Sequence, residues 1–348
     1  MDKLKKLWLG LVALVGLISF SSGQIQAANV TNNVGYTVKA TLPANQINAK
    51  NTFFDLRIHA GQTETLRATI YNQTNRDIKV KTAIHTAWTN ANGTIDYTNT
   101  TNTYDSSLQY PMSTLTKIQG AQTLTIPANG HQVVHATVRV PQTSFNGVIL
   151  GGWFFKRVDQ KVTGTVKGAS NIRNAYSYVI GLKYTLGKLP APTVKLGSVG
   201  AGTFNYHRGI IVNLRNPRAI MIPNLTTQTT ITNRQTQQVV KKQTQKNVQL
   251  APNTVYRYPL LTGQTALKAG RYHLHMIVKN SSHRWVLDRD FTISASQAKQ
   301  ANAAIGDHQG LSVWLVLALG ALAMLILVLL IWLIIVLIRR HKRQNTAE

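Results

Sequence analysis

The sequence predicts an all-β protein: two tandem immunoglobulin-like β-sandwich domains followed by one C-terminal transmembrane helix. Three observations carry that expectation. Apolar and polar residues alternate with period two through most of the stretch from residue 29 to residue 293, a two-proline segment divides that stretch, and an uncharged apolar run near the end stops abruptly at a basic cluster. At 348 residues the chain also exceeds what one ordinary hydrophobic core supports.

The two ends read as targeting segments. Lys3, Lys5 and Lys6 precede an apolar run over 7–20, and a polar, small-residue stretch ends in Ala27 and Ala28. This order is that of a signal peptide over residues 1–28, cleaved after Ala27 or Ala28, and its apolar run is shorter than the ~20 residues a membrane span needs. Residues 311–338 carry no charge, and Arg339, Arg340, Lys342 and Arg343 follow at once. That pattern predicts a transmembrane helix over 311–338 and a basic cytoplasmic tail over 339–348, with everything between the signal peptide and the helix outside.

Within the exported part, Leu66, Ala68 and Ile70 interleave with Thr65, Arg67, Thr69 and Tyr71, as a half-buried strand requires. Ile78 to Trp88 repeats the pattern, and Asn92-Gly93 then signals a hairpin turn whose central positions favour positive φ. Further strands are expected at 124–126, 133–140, 148–158 and 176–186. Pro190 and Pro192 each fix φ and remove a backbone donor, so the chain reads there as an extended linker. Strands resume at 210–214, 225–232, 238–242, 256–260, 270–278 and 285–293. The expected domains are therefore 29–189 and 190–295. Residues 296–310, rich in Ala, Gln and Asn, read as a stalk with room for a short helix.

Charge narrows the partners. Lys and Arg number 38 against 11 Asp and Glu, a net charge of +27, and the basic residues are scattered rather than clustered. An exported basic surface meets anionic wall polymer before it meets nucleic acid, so the former is the expected partner and no nucleic acid is. There is no cysteine, which excludes disulfides, thiol nucleophiles and Cys-ligated metals.

Catalytic chemistry finds little support. Asp288 and Asp290 share one strand face, but beside Arg284 and Arg289 they read as surface charges. Residues 168–172, Gly-Ala-Ser-Asn-Ile, lack the second glycine of a nucleophile elbow. His273 and His275 would project from one strand face, as zinc ligands can, without an evident third ligand. The glycines of 197–202 lack the order of a phosphate cradle. No sortase tetrad is present, so retention falls to the membrane helix. No catalytic, cofactor or metal site is expected, and the chain reads as a non-enzyme. The candidate ligand-binding residues are Trp88, Asn90, Asn92 and Tyr97, amides and aromatics suited to sugar hydroxyls at a sandwich end. Asn92-Gly93 equally serves a purely backbone purpose. Gly151-Gly152 permits close approach of a ligand or of a neighbouring sheet, and exposed edge strands offer strand addition to a partner.

Several motifs in order resemble the WxL-interacting protein family of Gram-positive bacteria. In the first domain they are Phe54-Asp55-Leu56 with Gly61-Gln62, residues 89–97 (Thr-Asn-Ala-Asn-Gly-Thr-Ile-Asp-Tyr) and residues 145–152 (Phe-Asn-Gly-Val-Ile-Leu-Gly-Gly). In the second they are Leu214-Arg215-Asn216-Pro217, residues 248–253 (Val-Gln-Leu-Ala-Pro-Asn), Gly270-Arg271-Tyr272, and Trp285 with Phe291-Thr292-Ile293. The resemblance implies a peptidoglycan-binding N-terminal domain, a C-terminal domain that binds a host or matrix protein, and assembly with WxL-domain surface proteins at a Gram-positive cell surface. The lone Trp285-Val286-Leu287 reads as strand packing rather than the partner's signature. The competing expectation is an accessory or catalytic subunit of a wall-polymer enzyme, with a site across the interdomain cleft. A membrane sensor is disfavoured by the short tail.

Overall fold

The structure is a computed structural model that describes residues 35–98, 101, 104–159, 176–303 and 313–344. The expected signal peptide, the latter part of the expected stalk and the last four residues lie outside the described residues.

The first sandwich contains β1 (Tyr36–Thr41), β2 (Phe54–Arg57), β3 (Thr63–Asn72), β4 (Ile78–Thr86), the short hairpin β5 (Trp88–Thr89) and β6 (Ile95–Asp96), one helical turn α1 (Met112–Leu115), then β7 (Thr116–Ile118), β8 (Thr123–Ile126), β9 (His131–Arg139), β10 (Gly147–Arg157) and β11 (Ser177–Leu186). One sheet has the order β1-β3-β9-β7 and the facing sheet β2-β11-β10-β4-β8. Pairing is antiparallel except where β2 runs parallel to β11.

Alternation fills the space between the sheets. Leu66, Ala68 and Ile70 of β3 meet Trp153 and Phe155 of β10 and Leu182 and Tyr184 of β11 in one core. Three buried polar groups within it are satisfied. The Trp153 indole N–H donates to Thr82 Oγ1 at 2.6 Å, the Tyr184 hydroxyl meets that of Thr116 at 3.0 Å, and the Tyr36 hydroxyl donates to the Phe155 carbonyl at 3.1 Å. Burial pushes the Tyr36 phenol up to about 12.

The second sandwich contains β12 (Lys195–Phe204), β13 (His207–Asn216), β14 (Ile222–Asn233), β15 (Val239–Leu250), β16 (Thr254–Leu261), β17 (Gly270–Lys279) and β18 (Arg284–Ile293). Its sheets are β12-β13-β16 and β15-β14-β17-β18. The glycine-containing run 197–202, which lacked the order of a phosphate cradle, forms edge strand β12, with a bulge between Leu196 and Val199. Part of the expected stalk belongs to this domain. Residues 295–302 form helix α2 (Ala295–Asn302), started by a capping box between Ser294 and Gln297. Ala298 and Ala301 pack into the second core, and the Asn302 side chain both accepts from the Leu267 N–H and donates to its carbonyl, each at 2.8 Å. The sequence shows no apolar stripe there because alanine methyls suffice for the contact.

Helix α3 (Val313–Gln344) contains the apolar stretch Leu317–Leu337, with mean hydropathy 3.2 and none of it covered by the rest of the chain. At 1.5 Å per residue that stretch is about 30 Å long, the thickness of a bilayer's hydrocarbon core.

The paired glycines of β10 resolve into two close approaches inside the chain. A Cβ on Gly151 would lie 2.3 Å from Met112 Cγ and 2.4 Å from the His85 carbonyl, while one on Gly152 would lie 2.8 Å from Tyr97 Cβ. Gly151 thus admits α1, and Gly152 admits the segment at Tyr97 that leaves the β5–β6 hairpin. Gly151→Ala is expected to destabilise the chain by about 1–3 kcal/mol, as overpacking against backbone does. A urea midpoint equal to wild type would show that α1 moves aside freely.

Candidate functional site at the domain seam

Residues 89–97 and 145–152 of the first half and 214–217 and 248–253 of the second converge on one seam. β10 begins as a continuously buried strand: its core-facing residues enter the first sandwich, while Val148 and Leu150 on the opposite face join Ala87 and Ala251 in a separate apolar cluster. Ile95, Tyr97 and Met221 pack against that cluster. Around it the backbones of the two domains bond directly. Val148 N–H donates to the Ala219 carbonyl at 2.7 Å, Gln249 N–H to the Gly93 carbonyl at 2.7 Å, and Asp105 N–H to the Asn253 carbonyl at 2.9 Å.

Side chains complete the junction. Thr89 Oγ1 donates to the Gln249 carbonyl at 3.1 Å and accepts from Ala251 N–H at 2.8 Å. Gln245 Nε2 donates to the Asn92 carbonyl at 2.8 Å, and Asn253 Nδ2 donates to Ser107 Oγ at 2.9 Å. An ion pair crosses the seam. Arg215 Nε and a terminal guanidinium nitrogen donate to the two Asp105 oxygens at 2.6 and 3.2 Å; the carboxylate is 0% exposed and the Arg215 side chain 35%. Burial by itself would raise the Asp105 carboxyl, but hydrogen bonds from Arg215 and Ser107 and the guanidinium charge prevail, holding it below the usual aspartate range.

The four residues expected to bind ligand are dispersed by this arrangement. Asn90 Oδ1 accepts from the N–H groups of Asn92 and Thr94 and from Thr94 Oγ1, so it organises the hairpin loop. Asn92 is exposed, with its carbonyl held by the second domain. Of the Asn-Gly pair only Gly93 has positive φ, +77°, because the loop spans 90–94 and closes through a bond from Gly93 N–H to the Asn90 carbonyl. Trp88 lines an interdomain cleft of about 260 Å³ with Phe204, Ile211, Val255 and Arg257, and its buried indole N–H has no partner among the described residues. Tyr97 lies across Gly152 and borders a groove of about 800 Å³. His85 Nδ1 donates to its carbonyl at 3.0 Å, and burial raises its phenol.

That groove opens between β1 and β11. Val38, Ala40, Leu42, Ile180 and Leu182 form its apolar part, Phe53 and Tyr97 its aromatic borders, and Lys39, Lys50 and Lys183 its positive rim. No single motif announces it, since its residues come from five separated stretches, Leu150 and Met221 among them; only the extended 42–53 connection after β1 hints that an edge is left open.

His273 and His275 share an outer face of β17, as their spacing requires. They meet Asp290 and Asp288 of β18, each pair at 2.7 Å, and Arg234 also pairs with Asp290. Hydrogen bonding by His275 lowers the Asp288 carboxyl. Among the described residues no group of three or more His, Asp or Glu is arranged to hold a metal.

The family description WxL Interacting Protein, peptidoglycan binding domain, matches residues 36–157, and WxL Interacting Protein, host binding domain, matches residues 167–303. The chain belongs to the WxL-interacting protein family. No curated protein matches it. Among solved structures it is similar to a chaperone–tip adhesin complex of CFA/I fimbriae biogenesis (9% identity, 74% of this chain and 98% of that chain, TM-score 0.29) and to the E. coli chaperone DraB (14%, 74% and 96%, 0.26). It is also similar to a PapD-like domain of human CEP192 (10%, 45% and 88%, 0.24). At these scores the likeness adds nothing to what the strands themselves show.

As a WxL-interacting protein the chain has a cell-surface binding role, and the motifs 89–97, 145–152, 214–217 and 248–253 behind its resemblance to the family meet at the seam. One strand crosses the family's domain division: β11 lies in the stretch matched by the host-binding description, yet it pairs with β10 and β2 and completes the first sandwich.

The ion pair makes the seam pH-sensitive in a defined direction. A carboxyl lowered by folding contributes stability that is complete above the ordinary aspartate value near ~4 and is lost as pH falls through the lowered value. Asp105→Asn is expected to cost about 2 kcal/mol at pH 7, below the range for fully buried pairs because Arg215 keeps part of its surface in water. Thermal unfolding from pH 7 to pH 3 should show the wild-type advantage shrinking below pH ~4; an advantage independent of pH contradicts this role.

Proposed function

We propose that the chain is a non-enzymatic adaptor at the Gram-positive cell surface, exported by residues 1–28 and anchored by α3, with the tail in the cytoplasm. The first domain, 29–189, binds peptidoglycan. The second, 190–295 with α2 added, presents a surface to a WxL-domain protein and to a host or matrix protein. The observation that carries this reading is the fusion of two different binding domains of one family through a bonded seam, on a chain that ends in an apolar helix of bilayer length. The net charge of +27 supports an anionic wall polymer as neighbour. Of the four candidate residues, Tyr97 and Trp88 border open space, whereas Asn90 serves its own loop.

The test uses the full chain in detergent, mixed with purified sacculi and with a WxL-domain protein from the same envelope. The expected outcome is sedimentation with sacculi, co-purification of the WxL-domain protein, and no soluble fragments released from the wall. Released fragments would instead favour the wall-enzyme reading.

A further inference from the structure

We infer that the groove between β1 and β11 receives the peptide stem of peptidoglycan and not its glycan strand; this rests on the peptidoglycan reading above and names the part of the polymer recognised. Four observations converge. First, the groove runs between two strand edges. β1 is the outermost strand of its sheet, and β2 covers β11 only along Leu182–Thr185, so β11 from Ser177 to Gly181 has no strand on that side among the described residues. Backbone N–H and C=O groups at such edges are met by another peptide backbone, which a stem has and a glycan lacks.

Second, the half-buried Val38, Ala40 and Leu42 line the groove over the core residues Ile180 and Leu182, an apolar surface suited to the small methyl side chains of alanine residues. Third, the rim is cationic where it is free to be. Lys183 is engaged by Asp55 at 3.0 Å, but the ammonium groups of Lys39 and Lys50 have no carboxylate partner among the described residues. A stem carries side-chain and terminal carboxylates, whereas an N-acetylated glycan is largely neutral at its sugar rings, so charge complementarity favours the stem. Fourth, the volume of about 800 Å³ is within the range of small-ligand pockets and suits a short extended peptide. Phe53 and Tyr97 stand over Gly181 and Gly152, which are register partners on adjacent strands, and they border the groove.

The experiment measures retention of the full chain by purified sacculi in the presence of two competitors, the free pentapeptide L-Ala-γ-D-Glu-L-Lys-D-Ala-D-Ala and glycan strands stripped of peptide by an amidase, with the lactyl carboxylates that this hydrolysis frees capped as neutral methylamides. The stem peptide is expected to release the chain and the stripped glycan to leave it bound. The double variant Lys39→Glu, Lys50→Glu is expected to weaken retention by about tenfold or more with an unchanged Tm, since both positions are outside the core. Release by stripped glycan but not by peptide, or a double variant retained like wild type, overturns the inference while the peptidoglycan reading stands. Sacculi that fail to retain the wild-type chain overturn both.

Discussion

A carboxylate with no exposed surface must be compensated, and Asp105 finds its compensation in the other domain. Removing Arg215 leaves the Asp105 carboxylate buried without its counter-charge, at a cost above that of an exposed pair. The pair is therefore less a source of net stability than a condition on geometry: the two sandwiches fit together in one way. The apolar cluster of Ala87, Val148, Leu150 and Ala251 and the bonds made by Thr89 and Gln249 fill the same seam, so electrostatics, burial and backbone pairing agree on it.

That constraint explains where the distinctive sequence went. The Asn-Gly loop, the Gly-Gly pair and the two second-domain motifs containing Arg215 and Gln249 resemble ligand-contact segments, being polar or glycine-rich and placed at sandwich ends. In the structure the loop and the second-domain motifs hold one domain to the other, while the glycine pair admits neighbouring segments of its own domain. The candidate binding surfaces are instead built from commonplace residues, valines, alanines and lysines, at the open edge of the first sandwich. A groove bordered by strand edges presents backbone to its ligand, and backbone carries no residue signature.

Legibility followed the same division. Strands with one wet and one dry face, such as β3 and β9, were plain from alternation. β10 reads in the sequence as a nearly unbroken apolar run, which correctly marks a strand covered on both faces, although only the structure shows that the second cover is another domain. The four- and three-residue strands β2 and β7 offer too few positions for a period to appear, and the glycines of β12 dilute its pattern. Over 296–302 the expected stalk, which left room for a short helix, packs onto the second core through Ala298 and Ala301; each buries little area, so α2 shows no strong apolar face. Of the candidate residues, Tyr97 reached a groove and Asn90 did not, a difference decided by Gly152 from a distant strand.

The central claim is that the seam holds the two domains in a single arrangement, and the absence of cysteine makes it directly measurable, since any introduced thiol is unique. Spin labels at Thr125→Cys on β8 and Gln228→Cys on β14, both exposed positions, report the distance between domains by pulsed electron paramagnetic resonance. One narrow distance distribution in the wild-type background, broadening when Asp105→Ala is added, is the predicted result. A broad distribution in the wild-type background would contradict it.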